Sequence, residues 1–124
     1  MEEAFRRVAF NVAAANCDDY TKNVSFLLRE GGAWELAPAY DVTYAFNPKG
    51  EWTYQHLMSV NGKFAEVSRD DLMTVADQFA IGTAPRVLKE VSRGVSAWPD
   101  FARQANVSIP EVKRVADHHR QLSD

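Results

Sequence analysis

Apolar residues recur at Phe5, Val8, Ala9 and Val12, the spacing that lines one face of a helix, so Glu2 to about Ala15 is expected to be amphipathic and helical. Glu2 and Glu3 favour its first turn and Asn16 is a natural stop. The pattern then changes. Val24-Ser25-Phe26-Leu27-Leu28-Arg29 and Trp34-Glu35-Leu36-Ala37 flank Glu30-Gly31-Gly32-Ala33, two apolar runs around paired glycines, which predicts a β-hairpin. Pro38 cannot donate to a ladder and ends the second strand. Residues 42–67 carry the turn signals Asn47-Pro48-Lys49-Gly50 and Asn61-Gly62-Lys63, and read as irregular with room for one more short hairpin. Beyond them the helical period returns. Ser68 to Asp71 resembles a capping box ahead of Leu72, Val75, Ala76 and Phe79, a face that runs until Gly82. Thr83-Ala84-Pro85 opens the next helix, with Leu88, Val91, Val95 and Trp98 on one stripe until Pro99. Ser108-Ile109-Pro110-Glu111 then caps a last helix carrying Val112, Val115 and Ala116. The expected fold is mainly α (α+β) with a small β-hairpin, one domain over residues 1–124, without repeats or a dividing linker.

With 46% apolar and 25% charged residues the chain has the composition of an ordinary globular protein. A net charge of −3 argues against a broad nucleic-acid interface, which needs clustered Lys and Arg to release counterions. The acidic start, Met1-Glu2-Glu3, is unlike a signal peptide, and no apolar stretch approaches the roughly 20 residues that span a bilayer. The lone Cys17 allows no internal disulfide, which fits a reducing cytoplasm. Cys17 also adjoins an acidic loop. With no His near it in sequence, a buried structural thiol is the better reading than a nucleophile.

That acidic loop, Asp18-Asp19-Tyr20-Thr21-Lys22-Asn23, is the candidate for chemistry. Phosphoryl transfer needs a carboxylate near the attacking hydroxyl and oxygen ligands for the Mg²⁺ that neutralises phosphate charge. Protein kinases put the first carboxylate and an amide ligand five positions apart in one loop and bring a second carboxylate from a later one. Asp18, Asn23 and Asp41 reproduce that order. Spacing alone is weak support, because Asp and Asn crowd solvated turns for local hydrogen-bonding reasons.

A longer string is more specific. Phe10-Asn11, Asn16-x-Asp18-Asp19-Tyr20-x-Lys22-Asn23, Ser25-Phe26-Leu27 and Leu36-Ala37-Pro38-Ala39-Tyr40-Asp41-Val42 together resemble the C-terminal region of HipA-like serine/threonine kinases, the toxins of bacterial toxin-antitoxin pairs. The likeness continues through His56, Ser59-Val60-Asn61-Gly62-Lys63 and Asp70-Asp71-Leu72. It implies the helical C-lobe of a protein-kinase-like fold, with Asp18 at the catalytic aspartate, Asn23 and Asp41 as metal ligands, and Tyr20 and Lys22 near the nucleotide phosphates. The implied cofactors are ATP and Mg²⁺, and the implied substrate is a protein serine or threonine. The family usually has His where Tyr20 stands, and a phenol offers a hydrogen bond but no cation near neutral pH.

Kinases also need a nucleotide-covering loop and a lysine from an N-terminal lobe, which would precede the helix that begins here at Met1, so this half alone is expected to bind nucleotide weakly and to turn nothing over. A non-catalytic module that binds an antitoxin or a separate N-terminal subunit is the alternative, and metal-dependent hydrolysis by the same acids a third. An exposed apolar surface is expected beside Asp18 and Asp41, open to a partner or a homodimer. His56 reads as a structural hydrogen-bonding residue. His118-His119 read as solvated or interface histidines, because neighbours on a helix point apart. The aromatics between Tyr40 and Tyr54 read as core or lobe contacts, and Arg6, Arg7 and Arg114 as solvated faces.

Overall fold

The structure is a computed structural model that describes residues 1–123. Among them are five α-helices, α1 (Glu2–Ala13), α2 (Arg69–Gln78), α3 (Ala84–Ser96), α4 (Trp98–Gln104) and α5 (Ile109–Ala116). A hairpin of β1 (Phe26–Leu28) and β2 (Trp34–Leu36) and one 3-10 turn at Thr21–Asn23 complete the regular elements. The domain is therefore mainly α with a small antiparallel hairpin.

The helical face read from Phe5, Ala9 and Val12 packs α1 along α3, whose Val87, Leu88, Val91 and Val95 are buried opposite it. Leu72 and Ala76 of α2 close the same core, and Leu122 from the C-terminal segment enters it at 1% exposure. That segment is clipped in place by two backbone donors, Arg120 N–H to the Ala13 carbonyl at 2.9 Å and Leu122 N–H to Ser92 Oγ at 3.2 Å. The first of these satisfies a carbonyl that the end of α1 would otherwise leave unpaired.

Helix ends depart from expectation in an instructive way. Instead of running to Ala15, α1 closes with Ala15 in the left-handed region (φ 54) and the Asn16 N–H reaching back to Asn11 O at 2.9 Å. This is the Schellman closure usually built on glycine. The same device ends α2 at Ala80 (φ 53, Ile81 N–H to Ala76 O, 2.8 Å), ahead of Gly82, and α4 at Asn106 (φ 58, Val107 N–H to Ala102 O, 2.9 Å). The expected stop at Pro99 is a start: α3 ends before Ala97, and Pro99 sits in the first turn of α4. A first-turn residue has no intrahelical acceptor for its N–H, so proline there costs nothing. Trp98 accordingly leaves the α3 stripe and its indole N–H donates to Val112 O on α5 at 2.9 Å.

The two cap signals also divide. Ser68 and Asp71 form a complete capping box at the start of α2. Ser108 makes no side-chain cap, and Glu111 is drawn instead to Arg114, 2.7 Å away. Asp71 does more than cap. It accepts from Ser68 N–H (2.8 Å), Asn61 Nδ2 (2.9 Å) and Lys63 Nζ (2.9 Å), and these donors, the Lys63 ammonium first, hold its carboxyl well below the usual carboxylate range. The extra short hairpin expected in residues 42–67 is here, one bridge long. Val60 and Lys63 exchange both backbone bonds at 2.9 Å around Asn61 (φ 51) and Gly62 (φ 75), the two left-handed residues of a tight primed turn. Asp71 thus fastens this turn to the N-terminus of α2.

The main hairpin pairs Phe26 with Leu36, Leu27 with Glu35 and Leu28 with Trp34. Gly31, at φ 67, turns its loop. One face carries Phe26, Leu28 and Trp34 at 60%, 54% and 69% exposure, and Leu27 on the other is 41% exposed.

Candidate active site

The left-handed turn at Ala15 throws the chain off α1 and back across its end, where residues 15–17 pair with the segment after Asp41. Ala45 N–H donates to Ala15 O at 3.1 Å and Cys17 N–H to Ala45 O at 2.9 Å, a parallel bridge centred on Asn16 and Ala45. Loops widely separated in sequence are thereby locked side by side. Asn16, 3% exposed, adds a side-chain link: its Nδ2 donates to Asn11 Oδ1 at 2.9 Å and lies 3.4 Å from the Asp41 carbonyl. A third tie comes from Tyr40, whose hydroxyl donates to the Lys22 carbonyl at 2.9 Å.

Asp18, Tyr20, Asn23 and Asp41 all line one cleft of about 470 Å³, walled on one side by Phe10 and Asn11 of α1. The Asp18 side chain is 42% exposed. Asn23 lies in the 3-10 turn and donates Nδ2 to the backbone carbonyl of Asp18 at 3.0 Å, so the oxygen of its amide is the atom left to offer. Asp41 stands at the end of the hairpin unit with φ 52, a conformation aspartate tolerates better than most residues, and is exposed. Four of the five residues expected at the site therefore share one cleft. Lys22 does not line it. Its ammonium is 3.9 Å from Asp18 Oδ1 on an exposed side chain, a weak ion pair.

Hard oxygen ligands suit Mg²⁺, which keeps several waters and typically takes only one or two protein carboxylates together with phosphate oxygens. The residues here fit that mode. Asp41 and Asn23 offer oxygens to the cleft, and the same lining holds Asn16 Oδ1, a buried oxygen without a hydrogen-bond partner among the described residues. Among the described residues no group of three or more His, Cys, Asp or Glu could hold a metal ion.

Asp19 is the site-proximal residue that sequence did not single out. Next to the half-buried Asp18, it turns inward, 8% exposed, with Oδ2 at 2.7 Å from His56 Nδ1 and Oδ1 accepting from the Leu57 and Met58 N–H groups at 2.8 and 3.3 Å. His56, 6% exposed, thus has the structural hydrogen-bonding role expected of it. Cys17 is 3% exposed, and burial first, the Asp19 carboxylate second, push its thiol up to about 11. It stays protonated near neutral pH and is no nucleophile.

The remaining candidates are in packing roles. His118 is not solvated: its ring stacks on Tyr44 at 6.1 Å, meets Phe46 edge-on at 4.7 Å and bonds the Tyr44 hydroxyl at 2.7 Å. His119 lies edge-on to Trp98 at 6.2 Å, and burial lowers its pKa. Tyr44 and Phe46 are therefore packed as expected, whereas Trp52 and Tyr54 are exposed. Arg6 is paired with Glu90 at 2.7 Å, Arg7 reaches the Ala37 carbonyl at 2.7 Å, and Arg114 stacks over Tyr44 at 5.4 Å, so none is a free solvated charge. No helix is long and apolar enough to cross a membrane among the described residues.

The fold and cleft define a mainly helical domain in which two acid-bearing loops, one after the first helix and one after a hairpin, are clamped together. The family model of the HipA-like C-terminal domain matches residues 1–119, and the chain belongs to that family. Searches of the curated proteins and of the solved structures found no match.

Proposed function

We propose that this domain carries the catalytic and metal-binding loops of an ATP- and Mg²⁺-dependent serine/threonine protein kinase of the toxin-antitoxin type, and works with a nucleotide-binding N-terminal lobe. The observation that carries the reading is the convergence of Asp18, Asn23 and Asp41 on one cleft through the Asn16–Ala45 bridge. Asp18 accepts or orients the proton of the substrate hydroxyl. Asn23 and Asp41 hold the metal, whose charge offsets that of the phosphates. Tyr20 donates a hydrogen bond to phosphate where the family's His would bring charge, and Lys22 supplies that charge from nearby.

The test has two arms. Titrated calorimetrically with ATP and Mg²⁺, this chain alone should bind very weakly, and a micromolar affinity would overturn the division of labour between lobes. Mixed with a HipA-like N-terminal lobe, it should transfer phosphate to a protein serine or threonine, with Asp18→Ala abolishing transfer while leaving assembly intact. The uncovered apolar hairpin, with Trp34 69% exposed, favours a second reading: a module that docks an antitoxin or a separate subunit. Assembly without phosphate transfer by the unmodified pair would select it.

A further inference from the structure

The Asp19–His56 pair lies outside the groups proposed to touch substrate or metal, yet it is the most heavily bonded point of the acidic loop. Asp18 and Asp19 both line the cleft but differ in exposure: one side chain is 42% exposed, the other 7% exposed and turned toward residues 56–58. Among the described residues, His56 Nδ1 and the Leu57 and Met58 N–H groups are the donors on the Asp19 carboxylate, all from residues 56–58. That segment is anchored in turn. His56 N–H donates to Phe64 O at 2.8 Å, and the intervening Val60–Lys63 turn is fastened through Asn61 and Lys63 to Asp71 on α2. A path of hydrogen bonds thus runs from α2 to the acidic loop, separate from the Asn16–Ala45 bridge that fixes the loop to residue 45.

The path ends one peptide from two groups with proposed chemistry. Asp18 precedes Asp19 directly, and the Asp18 carbonyl is the acceptor that orients the Asn23 amide at 3.0 Å. We propose that Asp19 and His56 form a positioning pair, which rests on the kinase reading above: by anchoring the loop to residues 56–58, it presents the Asp18 carboxylate and the Asn23 amide oxygen together to the cleft. A buried carboxylate is costly without donors, so removing the His56 donor drives the Asp19 side chain to seek water and rotates the peptide that carries Asp18.

The test uses the whole chain in solution, with amide hydrogen exchange and Mn²⁺-induced NMR line broadening read together. Outer-shell partners of a metal site typically cost about tenfold or more in metal affinity when removed. In His56→Phe, exchange at residues 17–23 should accelerate at least tenfold while the α1 and α3 amides are unchanged, and Mn²⁺ affinity read at Asn23 and Asp41 should fall about tenfold. His56→Asn, which keeps a donor near the Nδ1 position, should restore both. Should the Phe variant fail to fold, Asp19→Asn, of nearly the same shape, gives the same comparison. Unchanged exchange in the loop, or acceleration shared equally by α1 and α3, overturns the positioning role. Local acceleration in a chain whose unmodified form shows no Mn²⁺ broadening leaves the anchoring in place and overturns the kinase reading instead.

Discussion

The helices and the loops between residues 16 and 67 are built on different physics. In α1, α2 and α3 the apolar stripes meet in one core, with Ala9, Leu72 and Val87 at 0% exposure. In the loop layer the hairpin is largely exposed and only Val60 and Val67 reach the core, so the segments are tied mainly by single polar links: the Asn16–Ala45 bridge, Tyr40 to Lys22, Asp19 to His56 and Asp71 to the Asn61–Lys63 turn. Burial is non-directional and tolerant, whereas a hydrogen bond between distant segments specifies position. The scaffold therefore supplies most of the stability and the tethers supply placement, a division suited to a site whose loops must hold a small set of oxygens in register.

The largest effect should come from the scaffold. Leu88 of α3, 1% exposed in the core, leaves a cavity on truncation, and Leu88→Ala should lose about 2–5 kcal/mol in urea unfolding. A loss below 1 kcal/mol would show that the α1–α3 contact is loosely packed and would dissolve the contrast with the loops.

Next is the junction where the layers meet. Ser68→Ala removes the N-cap of α2 and should cost about 1 kcal/mol. Asp71 gives the junction a pH signature. Its folded pKa is depressed, so it contributes stability in full above its ordinary value of 3.8, and that contribution fades as pH falls from there toward the lower folded value. Asp71→Asn should therefore lower the melting temperature more at pH 7 than at pH 3. An equal deficit at both would mean that the Lys63 and Asn61 contacts do not persist in solution.

How much of this was legible from sequence follows the same division. Helical periodicity located all the helices whose stripes face the core, because side-chain burial is a local pattern read every three or four residues. The helix α4 escaped because Pro99 carries one sequence signal for two structural roles, stop and start. At the site, Asp18, Tyr20, Asn23 and Asp41 were readable as a motif and do share a cleft. The tethers were not. Asp19 and His56 lie 37 residues apart, and nothing in an Asp-Asp pair says which carboxylate turns inward. Equally, Ala15 and Ala80 gave no sign of left-handed backbone, since closure by hydrogen bonding overrode the preference that usually places glycine there.

That override makes a smaller, opposite prediction. An alanine held at φ 53 carries Cβ strain of about 1 kcal/mol that glycine lacks, partly offset by the extra freedom glycine gives the unfolded chain. Ala80→Gly, outside the cleft lining, should raise the unfolding free energy by about 0.5 kcal/mol. A loss of stability would place Ala80 outside the Schellman closure.

The smallest effect should be on the hairpin, and its smallness is the point. Trp34 is 69% exposed on β2, so its truncation removes little buried area, and Trp34→Ala should change unfolding free energy by no more than about 0.5 kcal/mol. The second reading proposed above has a partner cover this exposed aromatic. The same variant should therefore weaken assembly with a separately supplied N-terminal lobe or antitoxin at least tenfold in a binding titration. Should Trp34→Ala instead destabilise the isolated chain by 2 kcal/mol or more, the hairpin would belong to the cooperative core after all, and its exposed face would lose its claim as a docking surface.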